Sequence, residues 1–74
     1  MNKLYKIWQN ENIGYDTYDS AIVCSETEEE ARNTEVGNIG YGDWVRPENV
    51  HVEEIGLAKD SVKKGIVLAS FNAG

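Results

Sequence analysis

Six of the seven aromatic side chains, Trp8, Tyr15, Tyr18, Tyr41, Trp44 and Phe71, are spread through a chain of 74 residues so that several fall in or beside segments that read as loops. Such rings can sandwich a planar ligand, and a neighbouring base (Arg32, Arg46 or Lys63) would suit the phosphate of a nucleotide. Core packing competes with that chemistry. It is the first reading for Trp8 and Phe71, whereas for Tyr18 and Trp44 the two readings stand level. Other chemistries find less material. Asp16 and Asp19 are close enough for paired-carboxylate catalysis, but nothing near them promises the burial that would separate their protonation states. Cys24 and His51 lack a third residue to orient the imidazole, and Cys24 sits inside the apolar run AIVC. The glycines of VGNIGYG are not set between a strand and a helix, as a phosphate loop requires. These absences point to a non-enzymatic protein with no metal and no cofactor.

The elements that must position these residues form a single domain, residues 1–74. At this length folding hides only about 60% of the surface that the unfolded chain exposes, so the core is small. LYKIWQ at 4–9 reads as a first strand, and the turn-forming residues of NENIG end it. SAIVCS at 20–25 is a second strand with apolar residues of both parities, so that both of its faces need cover. The segment before it, with Asp16, Tyr18 and Asp19, reads as an extended connection or a first turn of that strand. Its aspartates would accept bonds from backbone amides, and Tyr15 and Tyr18 would point to opposite faces.

SETEEEARN at 25–33 is a helix start: Thr27 can cap and Glu30 can reciprocate, while Glu28 to Glu30 complement the positive end of the helix dipole. VGNIGYGDWVRPEN is a loop carrying Tyr41, Trp44 and Arg46. VHVEEIG gives a third strand, with an edge or bulge at Glu53 and Glu54. GIVLASF gives a fourth, with Ile66 and Leu68 on one side and Val67, Ala69 and Phe71 on the other. The expected fold is α+β: a small antiparallel sheet of about four strands with one short helix, in the order ββαββ. The helix offers mainly Ala31 to a sheet apolar on both faces, so the chain is expected to form a homo-oligomer.

Net charge is −6, which disfavours direct nucleic-acid binding through the whole surface. Between Glu11 and Glu35 eight acids face one base, Arg32. The capping pattern accounts for much of that run. No apolar stretch approaches the roughly 18 residues that a membrane span requires. A lone cysteine in an apolar strand fits a reducing compartment.

Three segments together, YDTYDSAIV at 15–23, SETEEEARN at 25–33 and GIVLASFNAG at 65–74, resemble a family of short tailed-phage proteins. Its members carry a YDTYDSAVV-like segment, an AESEEEAR-like helix start, a tryptophan near the middle and an ASFNAG-like end. The likeness spans nearly the whole chain and departs at VGNIGYG, where a shorter proline-containing turn is expected. The resemblance implies a phage origin and hence the host cytoplasm.

Small phage accessory proteins commonly act by stoichiometric binding, which sets two expectations. One is a sponge, an oligomer that sequesters a cyclic nucleotide or cyclic ADP-ribose signal of host defence in pockets at subunit interfaces. The other is an acidic inhibitor that binds a host nuclease, restriction or CRISPR complex by mimicking DNA. Convergence of aromatic and basic side chains in a pocket would favour the first, and carboxylates lining an exposed face the second. The ligand-binding candidates are Tyr18 with Arg32 and the segment Ser70, Phe71 and Asn72 nearby, together with Trp44 and Arg46.

Overall fold

The computed structural model describes residues 2–11, 14, 17–37 and 44–72, apart from the side chain of Asn72. Four strands, β1 (Lys3–Trp8), β2 (Thr17–Ser25), β3 (His51–Leu57) and β4 (Gly65–Asn72), form one antiparallel sheet in the order β3-β1-β2-β4. Among the described residues between β2 and β3 are a short helix, α1 (Glu28–Arg32), and a 3-10 turn, Pro47–Asn49. The architecture is the expected α+β fold with ββαββ order. Tyr15, Asp16, Tyr41 and most of VGNIGYG lie outside the described residues.

Pairing of β1 with β2 sets Leu4 opposite Cys24, Lys6 opposite Ile22 and Trp8 opposite Ser20. The intervening residues Tyr5, Ile7, Ala21 and Val23 point to the other face, where they meet Ala31 of α1 and Val36, Trp44, Val45 and Val50. This is the core. The helix contributes a single buried residue, and the long connection that follows it completes the cover. A five-residue helix would not persist in isolation, because nucleation costs more than so few bonds return. It is held at its start as the sequence leads one to expect: the Thr27 hydroxyl accepts from the Glu30 amide at 3.1 Å. The Glu30 carboxylate reaches one residue further than in the usual reciprocal box, accepting from the Glu26 amide at 2.9 Å.

Two strand details differ from simple alternation. β2 begins at Thr17, so Asp19 lies within the strand, as the extra residue where the β2–β4 register shifts between Tyr18 and Ser20. Among the described residues the Asp19 carboxylate accepts from the Ser20 hydroxyl at 3.3 Å. The buried Gln9 anchors the hairpin: its amide nitrogen donates to the Tyr18 carbonyl at 2.9 Å, its side-chain oxygen accepts from the Glu11 amide at 2.8 Å, and its backbone N–H donates to Asp19. In β4, Ile66 stands opposite Val23 and Leu68 opposite Ile22, with Val67 as the extra residue. The expected grouping of Ile66 with Leu68 is therefore corrected, since a bulge breaks the period of two. Gly65 enters the strand at φ 117°, a conformation that side chains other than glycine's rarely adopt.

Among the described residues, the second face of the sheet is covered only at one end. There Cys24 is buried and its thiol points to the Val62 carbonyl at 3.8 Å, and Ala58, also buried, donates its amide to Asn2. Beyond that end the face is open, with Leu68 at 68% exposure and Lys6 exposed beside the half-buried Ile22.

Candidate functional site

The seven candidate residues do not form one site. Tyr18 and Phe71 meet as cross-strand partners, their ring centroids 4.8 Å apart and their planes tilted by 57°. Tyr18 packs against the core and Phe71 is 46% exposed, so only the latter offers an open face. Ser70 is exposed opposite Ser20, and Asn72 pairs through its backbone position with Thr17. Trp44 is 2% exposed within the core, and so it cannot stack on a ligand from outside. Its removal from the candidates is the main correction to the site. Arg46 is exposed at the start of the 3-10 turn and accepts the Asn49 amide at 2.9 Å through its carbonyl.

Arg32 makes its contacts with α1 and with the segment that leads into β3. Its guanidinium donates through Nη1 to the carbonyls of Val50 and Pro47, and Nη2 lies 3.9 Å from the Glu28 carboxylate. This fastens the end of α1 to the beginning of β3, whereas Tyr18 and Phe71 belong to β2 and β4. None of these described contacts joins Arg32 to Tyr18 or to residues 70–72.

What Arg32 does join is a cavity of about 610 Å³ where β1 ends and β3 begins. Trp8 and His51 are register partners on these strands, and their rings stack with centroids 5.3 Å apart and planes only 18° from parallel. The Asn10 amide lies 3.4 Å from His51 Nε2, and Lys6 Nζ stands 5.3 Å from the Trp8 ring centre. Asn49 also lines the cavity, with the carboxylates of Glu11 and Glu48. Aromatic faces, one guanidinium, two amides and two carboxylates thus share a concavity whose volume falls in the range of small-molecule sites. By sequence, core packing is the first reading for Trp8, and His51 is a strand residue that faces solvent or makes a hydrogen bond. The signal that unites them is the β1–β3 register, which depends on contacts more than forty residues apart.

The acidic run is exposed along α1, but its members are engaged locally. Lys64 Nζ lies 3.0 Å from Glu26 and 3.8 Å from Glu30. Its hydrogen bond holds the Glu26 carboxyl below the usual range and raises the lysine in turn. Glu28 faces Arg32, and the Glu29 side chain accepts from Asn33 at 3.1 Å.

A cysteine–histidine pair is ruled out by the register. Cys24 stands opposite Leu4 and His51 opposite Trp8, four residues apart along β1, which corresponds to roughly 14 Å. Among the described residues no group of three His, Cys, Asp or Glu side chains is placed to hold a metal ion. No helix among them is long and apolar enough to cross a membrane. No protein-family model, curated protein or solved structure matches the chain.

Proposed function

We propose that the protein is a phage accessory protein that binds and sequesters a small cyclic nucleotide, of the cyclic oligonucleotide or cyclic ADP-ribose class used as host immune signals, without cleaving it. The observation that carries this reading is the stacked Trp8–His51 pair sharing one cavity with Arg32. A base can stack on the outer face of the exposed imidazole, while the guanidinium and the Asn10 and Asn49 amides take phosphate oxygens. Glu11 and Glu48 supply acceptors for ribose hydroxyls or exocyclic amino groups, which explains how carboxylates can line a site for an anion. The cavity belongs to β1 and β3 of one chain, so in this reading the pocket is built within a subunit rather than between subunits.

Isothermal titration with cyclic dinucleotides, cyclic trinucleotides and cyclic ADP-ribose isomers tests the reading, with the ligand recovered and weighed afterwards. One class binds at a fixed stoichiometry and returns unchanged. Trp8→Ala and His51→Ala each weaken it by roughly fivefold to a hundredfold, the loss of about 1–3 kcal/mol of stacking. Absence of binding across the panel, or binding indifferent to both substitutions, overturns it. The exposed glutamates of α1 support a second reading, an inhibitor that presents acids to a host nuclease or CRISPR protein. Their pairing with Lys64, Arg32 and Asn33 reduces the charge available for that role. Capture of a host protein that is lost on Glu28→Gln/Glu29→Gln, combined with silence in the titrations, would decide for it.

A further inference from the structure

The two edges of the sheet are built differently. β3 carries Glu53 and Glu54, begins with His51 and is interrupted by a register shift where Leu4 and Tyr5 face Gly56 and Glu54. Charges and irregularity of this kind are how an edge is kept from pairing with another chain. β4, GIVLASFN, has no charged residue along its eight positions and no proline, and Ile66, Val67, Leu68 and Phe71 are all exposed. One side of its backbone is bonded to β2, and the other is the rim of the sheet. An uncharged apolar strand with an open ladder is a template for strand addition.

We infer that β4 pairs antiparallel with β4 of a second copy of this chain, joining two four-stranded sheets into one of eight strands. Charge selects the second copy over an unrelated strand. The chain is acidic overall, yet nothing charged stands opposite its like along a self-paired β4. Antiparallel pairing also sets the beginning of one strand beside the end of the other. The exposed Lys63, two residues before β4, then comes to the end of the sheet where the partner copy presents its own exposed Asp19, next to the Tyr18–Phe71 pair. A two-fold axis makes this complementarity twice over. The same axis brings Leu68 near its counterpart and continues the Lys6–Ile22–Leu68 row across both open faces. The Trp8–His51 cavity remains on the β3 side of each copy, so the inference does not depend on what that cavity binds.

Sedimentation equilibrium over a concentration series reads the association directly, for the full chain and three variants. The wild type gives twice the 8.3 kDa chain mass at micromolar concentration. Leu68→Glu places like charges near the axis and raises the dimer dissociation constant by roughly a hundredfold. Leu57→Glu, at an equally exposed position of β3, leaves it unchanged. Ser70→Lys, at a polar position of the same strand, brings a positive charge toward the end where the partner copy carries Lys63 and Lys64 and weakens the dimer as well, and serves if circular dichroism shows that Leu68→Glu unfolds. A wild-type monomer at all concentrations, or a dimer weakened by Leu57→Glu and indifferent to the β4 variants, overturns the inference.

Discussion

The two faces of the sheet share the same strands, yet one is closed and the other largely open. On the closed face Ile7, Val23, Ala31, Val36 and Trp44 interlock with almost no exposure. On the other, Lys6 and Leu68 stay exposed around the half-buried Ile22, and only the β3–β4 connection at Cys24 gives cover. The difference does not come from β2 and β4, which carry apolar residues of both parities. It comes from where the connections run. The segment from α1 to Val50 packs a tryptophan and several valines beneath β1 and β2, while the shorter link from Ala58 to Lys64 reaches only one end of the opposite side. A small domain thus spends its few large side chains on one interface and leaves the other to surroundings or partners.

The sharpest way to break this contrast is at Trp44. Trp44→Ala empties the closed face and costs about 4 kcal/mol, enough to leave much of a chain this small unfolded, as urea unfolding at 25 °C measures. Leu68→Ala on the open face changes the stability of the monomer by about 0.5 kcal/mol or less, because that side chain is already in water. Comparable losses at the two positions would erase the distinction between the faces.

A smaller effect is expected where the closed face meets the cavity. Arg32→Ala removes the donors that hold the Val50 and Pro47 carbonyls, at a cost of about 1–3 kcal/mol in the same unfolding experiment. Hydrogen exchange at the beginning of β3 accelerates with it. Thr27→Ala deletes the helix cap for about 1 kcal/mol and leaves exchange in β4 unaltered.

The smallest effect is electrostatic. Lys64 links the start of β4 to the acids before and within α1 and holds Glu26 below its ordinary value of 4.5. A lowered carboxyl stabilises the fold above its unfolded value, and that contribution fades as pH falls from about 4.5 through the folded value. Lys3, bonded to Glu54, and Lys64 are raised, so their contributions hold below 10.5 and are lost as pH rises through the folded values. These ion pairs lie at the surface, so salt suppresses both slopes. Thermal melts between pH 3 and 5 show the acid slope diminished in Lys64→Met.

Much of the fold was legible because local chemistry specifies it. Thr27 with Glu30 marks the helix, and the apolar runs at 20–25 and 65–71 mark two strands. What escaped depends on pairing. Asp19 and Val67 are extra residues only relative to β4 and β2, so their bulges have no signature within either strand. The role of Gln9 is equally nonlocal, since an ordinary polar residue becomes the buried anchor of a hairpin only when β2 lies beside it. The site shows the same division. Arg32 was singled out as a base, but its partners Trp8 and His51 converge through the β1–β3 register, and the aromatic richness that suggested Trp44 served the core instead.

Native mass spectrometry of the purified chain, alone and with the cyclic nucleotide panel, tests the central claim most directly, because it counts copies and ligands together. The account predicts an oligomer that retains one class of unmodified nucleotide at one molecule per chain, and retention that is lost in His51→Ala while the oligomer persists. A protein that holds no member of the panel in any oligomeric state would contradict the sequestering role, whatever its mass.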